Sequence, residues 1–361
     1  MARVIDSECG DGLIHNREDK ASHIKQGSVT YMRSKRIGII AAAATVALSL
    51  AACTGGTGGT VAASSGGSKS GGKAPYIAII SKGFSAQFWQ AVNTGAKNEA
   101  AKEGATITFE GPPTEADVEQ QITMLTNVLA KHPDAIGFAA LDSKAAAPLM
   151  QQAKAANIPV IAFDSGVASD VPVTTAATDN KAAAAADAEH LSKLLGGKGL
   201  VGMVIHDQTS QSGIDRRDGF VNWMQANAPG ITLLPPQYDK GDLLKAADIT
   251  KALITANPSL AGLYGSNEPS AEGIVKGIQE TGKTGLAAVG FDSGKAQIDG
   301  INSGILAGSI TQNPIGIGEQ VVAASMKAIK GEAQPKFIDT GFYWYDKTNI
   351  NDPKIQPLLY Q

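Results

Sequence analysis

Phe163-Asp164-Ser165-Gly166 and Phe291-Asp292-Ser293-Gly294 are two copies of one tetrapeptide, and each closes a short apolar run, 158–162 and 286–290. An apolar run of that length bounded by turn residues reads as a strand buried on both faces. Each half of the chain therefore sets an aspartate at the carboxyl end of a strand. Ligands bind at that edge of open α/β sheets, so two such edges facing one another would make a polar cleft with two sides.

Outward from these copies, short apolar runs alternate with amphipathic stretches, as in βαβ units of a parallel sheet. The pattern predicts strands at 76–80, 106–109 and 135–139 ahead of 158–162, with helices at 115–131 and 144–156. Phe88, Ala91, Val92, Gly95 and Ala96 have the spacing of a core-facing helical stripe after the first strand. A second series starts beyond Thr178-Asp179-Asn180: helix 181–195, strand 200–205, helix 214–227, and strands 231–234, 260–264 and 287–291 separated by helices. Strand 306–310 and helix 314–330 end it. The expected fold is α/β, with two similar doubly wound parallel-sheet domains.

The chain has 361 residues, 43% hydrophobic and 18% charged, enough for one large core or two ordinary ones. Lys plus Arg number 31 against 34 Asp plus Glu, and no basic run is long enough to follow a phosphate backbone, which argues against nucleic acid as a partner. The two cysteines, Cys9 and Cys53, precede the expected folded part, so no disulfide or Cys-based metal site is expected to hold the fold.

Met32-Arg33-Ser34-Lys35-Arg36 reads as the basic start of a secretion signal, followed by an alanine-rich apolar stretch, 37–52, too short to span a bilayer comfortably. It ends in Leu50-Ala51-Ala52-Cys53, which resembles the lipobox of bacterial lipoproteins, where the signal is cut before a cysteine that is then lipidated. Residues 1–31 are polar and fit neither role; they are expected to be a non-native extension, with translation starting at Met32. Residues 32–52 are then the signal, and 53–74, dominated by Gly, Ser, Thr and Ala, a flexible tether.

Residues 277–284, Gly-Ile-Gln-Glu-Thr-Gly-Lys-Thr, match the phosphate-loop pattern letter for letter, but that loop must follow a strand and open a helix. Here it closes a predicted helix, with Gly282 where a C-cap belongs. The five histidines lack metal-ligand spacing, and no nucleophile elbow or zinc-helix motif occurs. Neither a metal nor another cofactor is expected.

Just beyond the predicted strand ends stand Ser81, Lys82, Asp142, Asp164, His206, Asp207, Tyr238, Asn267, Asp292 and Gln312. A small neutral molecule rich in hydroxyls needs such planar donors and acceptors around its rim. It also needs a flat apolar surface, which Phe88-Trp89 would supply, Trp89 more than the stripe residue Phe88. Asp142-Ser143 before Lys144 reads instead as a helix cap.

Lys82-Gly83, Phe88-Trp89-Gln90-Ala91-Val92, Asn157-Ile158-Pro159-Val160, Phe163-Asp164, Ala177-Thr178-Asp179-Asn180, Arg216 with Gly219-Phe220, Asn267-Glu268, Val289-Gly290-Phe291-Asp292 and Gln312-Asn313-Pro314 occur in the order found in one family. From about Pro75 onward the chain resembles the periplasmic sugar-binding proteins of the ribose type, substrate-binding subunits of ABC importers. The resemblance implies a type I periplasmic binding protein fold and no catalysis. It makes Phe88 and Trp89 a pair that sandwiches a sugar ring, Asp164 and Asp292 acceptors of hydroxyl protons, and Arg216, Asn267 and Gln312 hydroxyl partners. The arginine that follows the first aspartate in ribose binders is Ser165 here, which removes one contact and argues against ribose itself. Lys82 looks like the lysine of a branch that binds other polyols, including a furanosyl signalling molecule. Ser81 and Tyr238 complete the candidate site.

The resemblance further implies lobes at 75–178 with 313–339 and at 179–312 with 340–361, joined by three chain crossings about which the cleft closes. A monomer, anchored to the membrane through Cys53 and docking on an ABC permease, is expected. A sensor presenting the same bound ligand to a membrane receptor is equally compatible with the residues. A glycosidase using Asp164 and Asp292 as paired carboxylates is the enzyme alternative, but a binding protein places aspartates in the same way. A lactose-operon-type repressor would need a helix-turn-helix where this chain carries its signal.

Overall fold

The structure, a computed structural model, describes residues 73–360; the signal, Cys53 and almost all of the tether expected at 53–74 lie outside the described residues. The first series runs β1 (Tyr76–Ile80), α1 (Gln87–Glu103), β2 (Thr106–Glu110), α2 (Val118–Ala130), β3 (Ala135–Phe138), α3 (Ala147–Ala155), β4 (Val160–Phe163) and β5 (Thr174–Ala177). The second runs α4 (Asn180–Leu194), β6 (Lys198–Ile205), α5 (Gln211–Asn227), β7 (Gly230–Leu233), β8 (Gln237–Tyr238), α6 (Leu243–Ala256), β9 (Leu260–Gly265), α7 (Glu268–Thr281), β10 (Ala287–Phe291), α8 (Lys295–Ser303) and β11 (Gly308–Gln312). α9 (Pro314–Ile329) and β12 (Phe337–Asp339) return to the first sheet, and β13 (Phe342–Tyr345) joins the second.

The sheet orders are β12-β5-β4-β3-β1-β2 and β13-β11-β10-β9-β6-β7, with β8 paired to β6. The pairings are parallel except for the β13 edge, which runs antiparallel to β11. In both sheets the order reverses beside the first strand of the series, between β1 and β3 and between β6 and β9, and a crevice opens at the carboxyl ends of such a pair. The chain passes between the sheets after β5, after β11 and after β12. These passages touch: the Thr178 hydroxyl donates to Gln312 Oε1 at 2.9 Å and the Thr340 amide to the Ala177 carbonyl at 3.1 Å.

Two glycines from the predicted stripe and its partner set the helix layer. A Cβ at Gly95 of α1 would lie 2.0 Å from the Ile315 carbonyl oxygen, and one at Gly318 of α9 would lie 2.0 Å from that of Val92. The helices therefore meet backbone to backbone, and no rotamer change can relieve an added methyl. Gly95→Ala is expected to cost roughly 1–3 kcal/mol, read as a lowered urea midpoint with an unchanged slope.

Several elements differ from the pattern. α2 starts at Val118, three residues later than predicted, because the Asp117 carboxylate accepts from the Gln120 amide and caps it there; Glu115 is thereby released into a loop. The last predicted strand shifts to Gly308–Gln312, which carries Gln312 into the sheet. β5, α8, β8, β12 and β13 are additional to the predicted elements, being short and without clear periodicity. The phosphate-loop match ends α7, with Gly282 as a left-handed C-cap at φ 65°.

Candidate functional site

Both FDSG aspartates take a conformation that residues with a side chain seldom adopt, φ 54° at Asp164 and 82° at Asp292. Such strain persists where the surroundings enforce it, and it concentrates at ligand sites. Both side chains are almost fully buried.

On the first sheet's edge, β1 delivers Lys82, whose Nζ lies 3.4 Å from Asp164 Oδ2 and 3.4 Å from Glu115 Oε2. Burial lowers the lysine's proton affinity, but Glu115 and Asp164 outweigh it and hold the group above its usual value. Trp89 donates its indole N–H to Glu115 Oε1 at 2.8 Å and meets Phe88 edge to face at 4.8 Å between centroids. Asp164 Oδ2 finds no hydrogen-bond partner among the described residues. Asp164 also lines a pocket of about 280 Å³ with Thr178, Asn180, Ser212 and Asp215.

On the second sheet's edge, Arg216 of α5 stacks its guanidinium on Phe291, 3.7 Å from the ring centre. Its Nε donates to Asn180 Oδ1 at 2.7 Å, its Nη1 donates to the Ser266 carbonyl at 2.9 Å, and Nη1 lies 3.8 Å from Asp292 Oδ2. Asp292 accepts from Gln312 Nε2 at 2.6 Å and from the Glu268 amide at 2.9 Å. Burial raises its pKa, with Arg216 opposing. His206 is buried behind this edge, and burial lowers its pKa well below the usual value with help from Lys82 and Arg216.

The two edges are in contact. Lys82 Nζ donates to Ser212 Oγ at 3.1 Å, the Ser212 amide to Ser165 Oγ at 3.3 Å, and the Ser143 amide to the Thr209 carbonyl at 3.2 Å. Lys82, Asp164, Arg216, Asp292 and Gln312 thus converge, and Phe88 and Trp89 are buried beside Phe163, Trp89 lying 6.2 Å from its ring. Asn267 caps α7, its Oδ1 accepting from the Ser270 amide and hydroxyl at 3.0 and 2.7 Å. The Ser81 hydroxyl donates to the Gly83 carbonyl at 2.6 Å and so shapes the turn bearing Lys82. Tyr238 accepts from Arg217 Nη1 at 3.2 Å and faces a separate pocket with Glu115 and Asp207. Asp142 accepts from the amides of Lys144 and Ala145 but caps a turn and not the helix: α3 starts at Ala147, three residues later than predicted, with Ala146 as its N-cap.

Sequence reasoning missed Glu115, Ser212 and Glu268 as parts of this region. Glu115 read as the first residue of a helix, Ser212 as a polar residue before one, and Glu268 only as part of a family motif. Among the described residues no cluster of three or more His, Cys, Asp or Glu is placed to hold a metal ion.

Residues 77–333 match the model of the periplasmic binding protein domain. The chain is 27% identical over 261 residues to the ribose import binding protein of Escherichia coli K12, covering 71% of this chain and 85% of that one. It is 25% identical over 302 residues to a xylitol-binding protein of Mycolicibacterium smegmatis, covering 83% and 82%. Its fold matches an ABC transporter solute-binding protein of Agrobacterium vitis, crystallised with D-fucose, at TM-score 0.77 and 33% identity over 79% of this chain and all of that one. With a family match across most of its folded part, on two parallel-sheet lobes whose carboxyl edges meet, this chain belongs to the periplasmic binding protein family.

Proposed function

We propose that this chain is the extracytoplasmic substrate-binding subunit of an ABC importer, taking a small neutral sugar or sugar alcohol between its lobes by closure about the three crossings. The observation that carries the reading is the pairing of Lys82 with Asp164 and of Arg216 with Asp292, one pair from each sheet edge, all four buried. Arg216 faces an aspartate and Lys82 faces both Asp164 and Glu115, so neither cation is left over for an anionic ligand, which suits a neutral one. Asp164 Oδ2, which takes no hydrogen bond among the described residues although Lys82 Nζ lies 3.4 Å away, and the guanidinium supply acceptor and donor to neighbouring hydroxyls. Phe88 and Trp89 supply the apolar surface for the ligand's C–H faces. Closure that excludes water strengthens each of these bonds. Relatives named for ribose and xylitol, and a solved structure with bound D-fucose, support the ligand class. In this reading the lobe boundaries are those expected from the sequence, Cys53 carries the lipid anchor, and a permease receives the closed form.

The test is a thermal-shift screen of the purified full chain against pentoses, hexoses, tetritols, pentitols and hexitols. A ligand at a hundred times its dissociation constant stabilises by about 2.7 kcal/mol, so one compound is expected to raise the melting temperature by several degrees while its epimers do not. No shift with any of them, in folded protein stripped of carried-over ligand, overturns the reading.

A further inference from the structure

Helix α1, which carries Phe88 and Trp89, lacks the local means to start. Its N-cap is Ala86, which makes no side-chain bond, and its first turn holds no acidic residue. Alanine is among the poor N-caps, and the first amides of a helix need an acceptor. The acceptor comes from the other lobe. Glu268, the first residue of α7, accepts from the Gln87 amide at 3.0 Å through Oε1 and from the Phe88 amide at 2.9 Å through Oε2. Glu268 is only 4% exposed, and its own amide donates to Asp292 Oδ2. A continuous path of bonds therefore runs from the aspartate of one edge, through Glu268, to the backbone of the aromatic pair on the other.

A second bond crosses in the opposite sense. The Gln87 side chain, on the first lobe, accepts through Oε1 from the amide of Lys295, which opens α8 on the second, at 2.7 Å. α8 also lacks a side-chain cap from its own N-cap residue, Gly294. Each lobe thus completes a helix start of the other, through bonds that exist only while the lobes are together. Burial pushes the Glu268 carboxyl up to about 8 against the opposing pull of the Phe88 and Gln87 amides, so the cap acts through these two hydrogen bonds and not through a full negative charge.

We propose that Glu268 is the positioning residue of the ligand site: by capping α1 across the cleft it locks the Phe88-Trp89 pair in register with Asp292 and holds the closed form shut. The proposal rests on the cleft-closure reading above. It assigns Glu268 no contact with the ligand; its effect is on how long the closed form lasts.

The test compares wild type, Glu268→Ala and Glu268→Gln in the full chain, by amide hydrogen exchange and by stopped-flow binding of D-ribose, D-fucose and xylitol. Loss of a cap is worth about tenfold in a local equilibrium. In Glu268→Ala, exchange at Gln87 and Phe88 is expected to speed up about tenfold while the β1 amides, Ile77–Ile80, stay as slow as in wild type. The dissociation rate should rise by a similar factor with the association rate unchanged, and Glu268→Gln, which keeps one acceptor oxygen, should fall between. Unchanged exchange at Gln87 and Phe88 overturns the proposal, as does acceleration spread evenly over the first lobe, which marks a general structural defect. Should none of the three compounds bind wild type, the ligand reading is what suffers, and the exchange comparison still decides the latch.

Discussion

Asp292→Ala is expected to reduce ligand binding below detection and to lower stability by about 3 kcal/mol. From the sequence alone, an aspartate serving only a ligand should be removable with the fold intact. The structure corrects that premise. Asp292 accepts from Gln312 Nε2 and from the Glu268 amide, and it stands 3.8 Å from the buried Arg216. Alanine leaves two donors and a guanidinium facing an apolar methyl, and a buried cation that loses its partner is costly because the lost solvation is no longer offset. Asp292→Asn, which keeps the shape and one acceptor but turns a donor toward the other partner and removes the charge facing Arg216, should recover only part of the lost stability while still weakening binding. Urea unfolding and the thermal-shift screen on the same samples separate the two effects. Wild-type stability in Asp292→Ala would mean that the carboxylate is dispensable to the second lobe, and wild-type binding would remove it from the site.

Lys82→Met carries the second large effect. The ammonium lies within 3.4 Å of both Glu115 and Asp164 and donates across to Ser212. Methionine fills similar space without charge, leaving the buried Asp164 and the partly buried Glu115 without their shared cation, and breaking such a group by removing one partner costs about 3–5 kcal/mol. The expected result is a large drop in the urea midpoint at neutral pH. Binding should be lost together with the bridge to Ser212. A variant as stable as wild type at neutral pH would show that Glu115 and Asp164 do not depend on this cation.

Much of the scaffold is legible in the chain because burial leaves a periodic trace. The runs before the two FDSG copies became β4 and β10, and the Phe88 to Ala96 stripe became the buried face of α1. The glycine at 282 ended a helix, because a left-handed C-cap has a local sequence signature. Asp164, Arg216, Asp292 and Gln312 were named on position and family resemblance, and the structure brings them together. β12 and β13 escaped because three or four residues carry too little periodicity.

Glu115 and Glu268 show where such reading ends. Nothing around Glu115 marks it as a partner of Trp89, since that depends on Asp117 starting α2 late. Ala86 at the head of α1 looks like a defect until Glu268, 180 positions beyond Phe88, supplies the acceptor. Lys82 and Ser212 are likewise 130 positions apart. Strands, helix faces and caps follow from neighbours within a few residues, so the residue order alone establishes two parallel-sheet lobes with aspartates at their edges. The pairing of buried charges and the completion of one lobe's helix by the other depend on distances set when the two sheets pack together, and no short-range pattern in the chain records them.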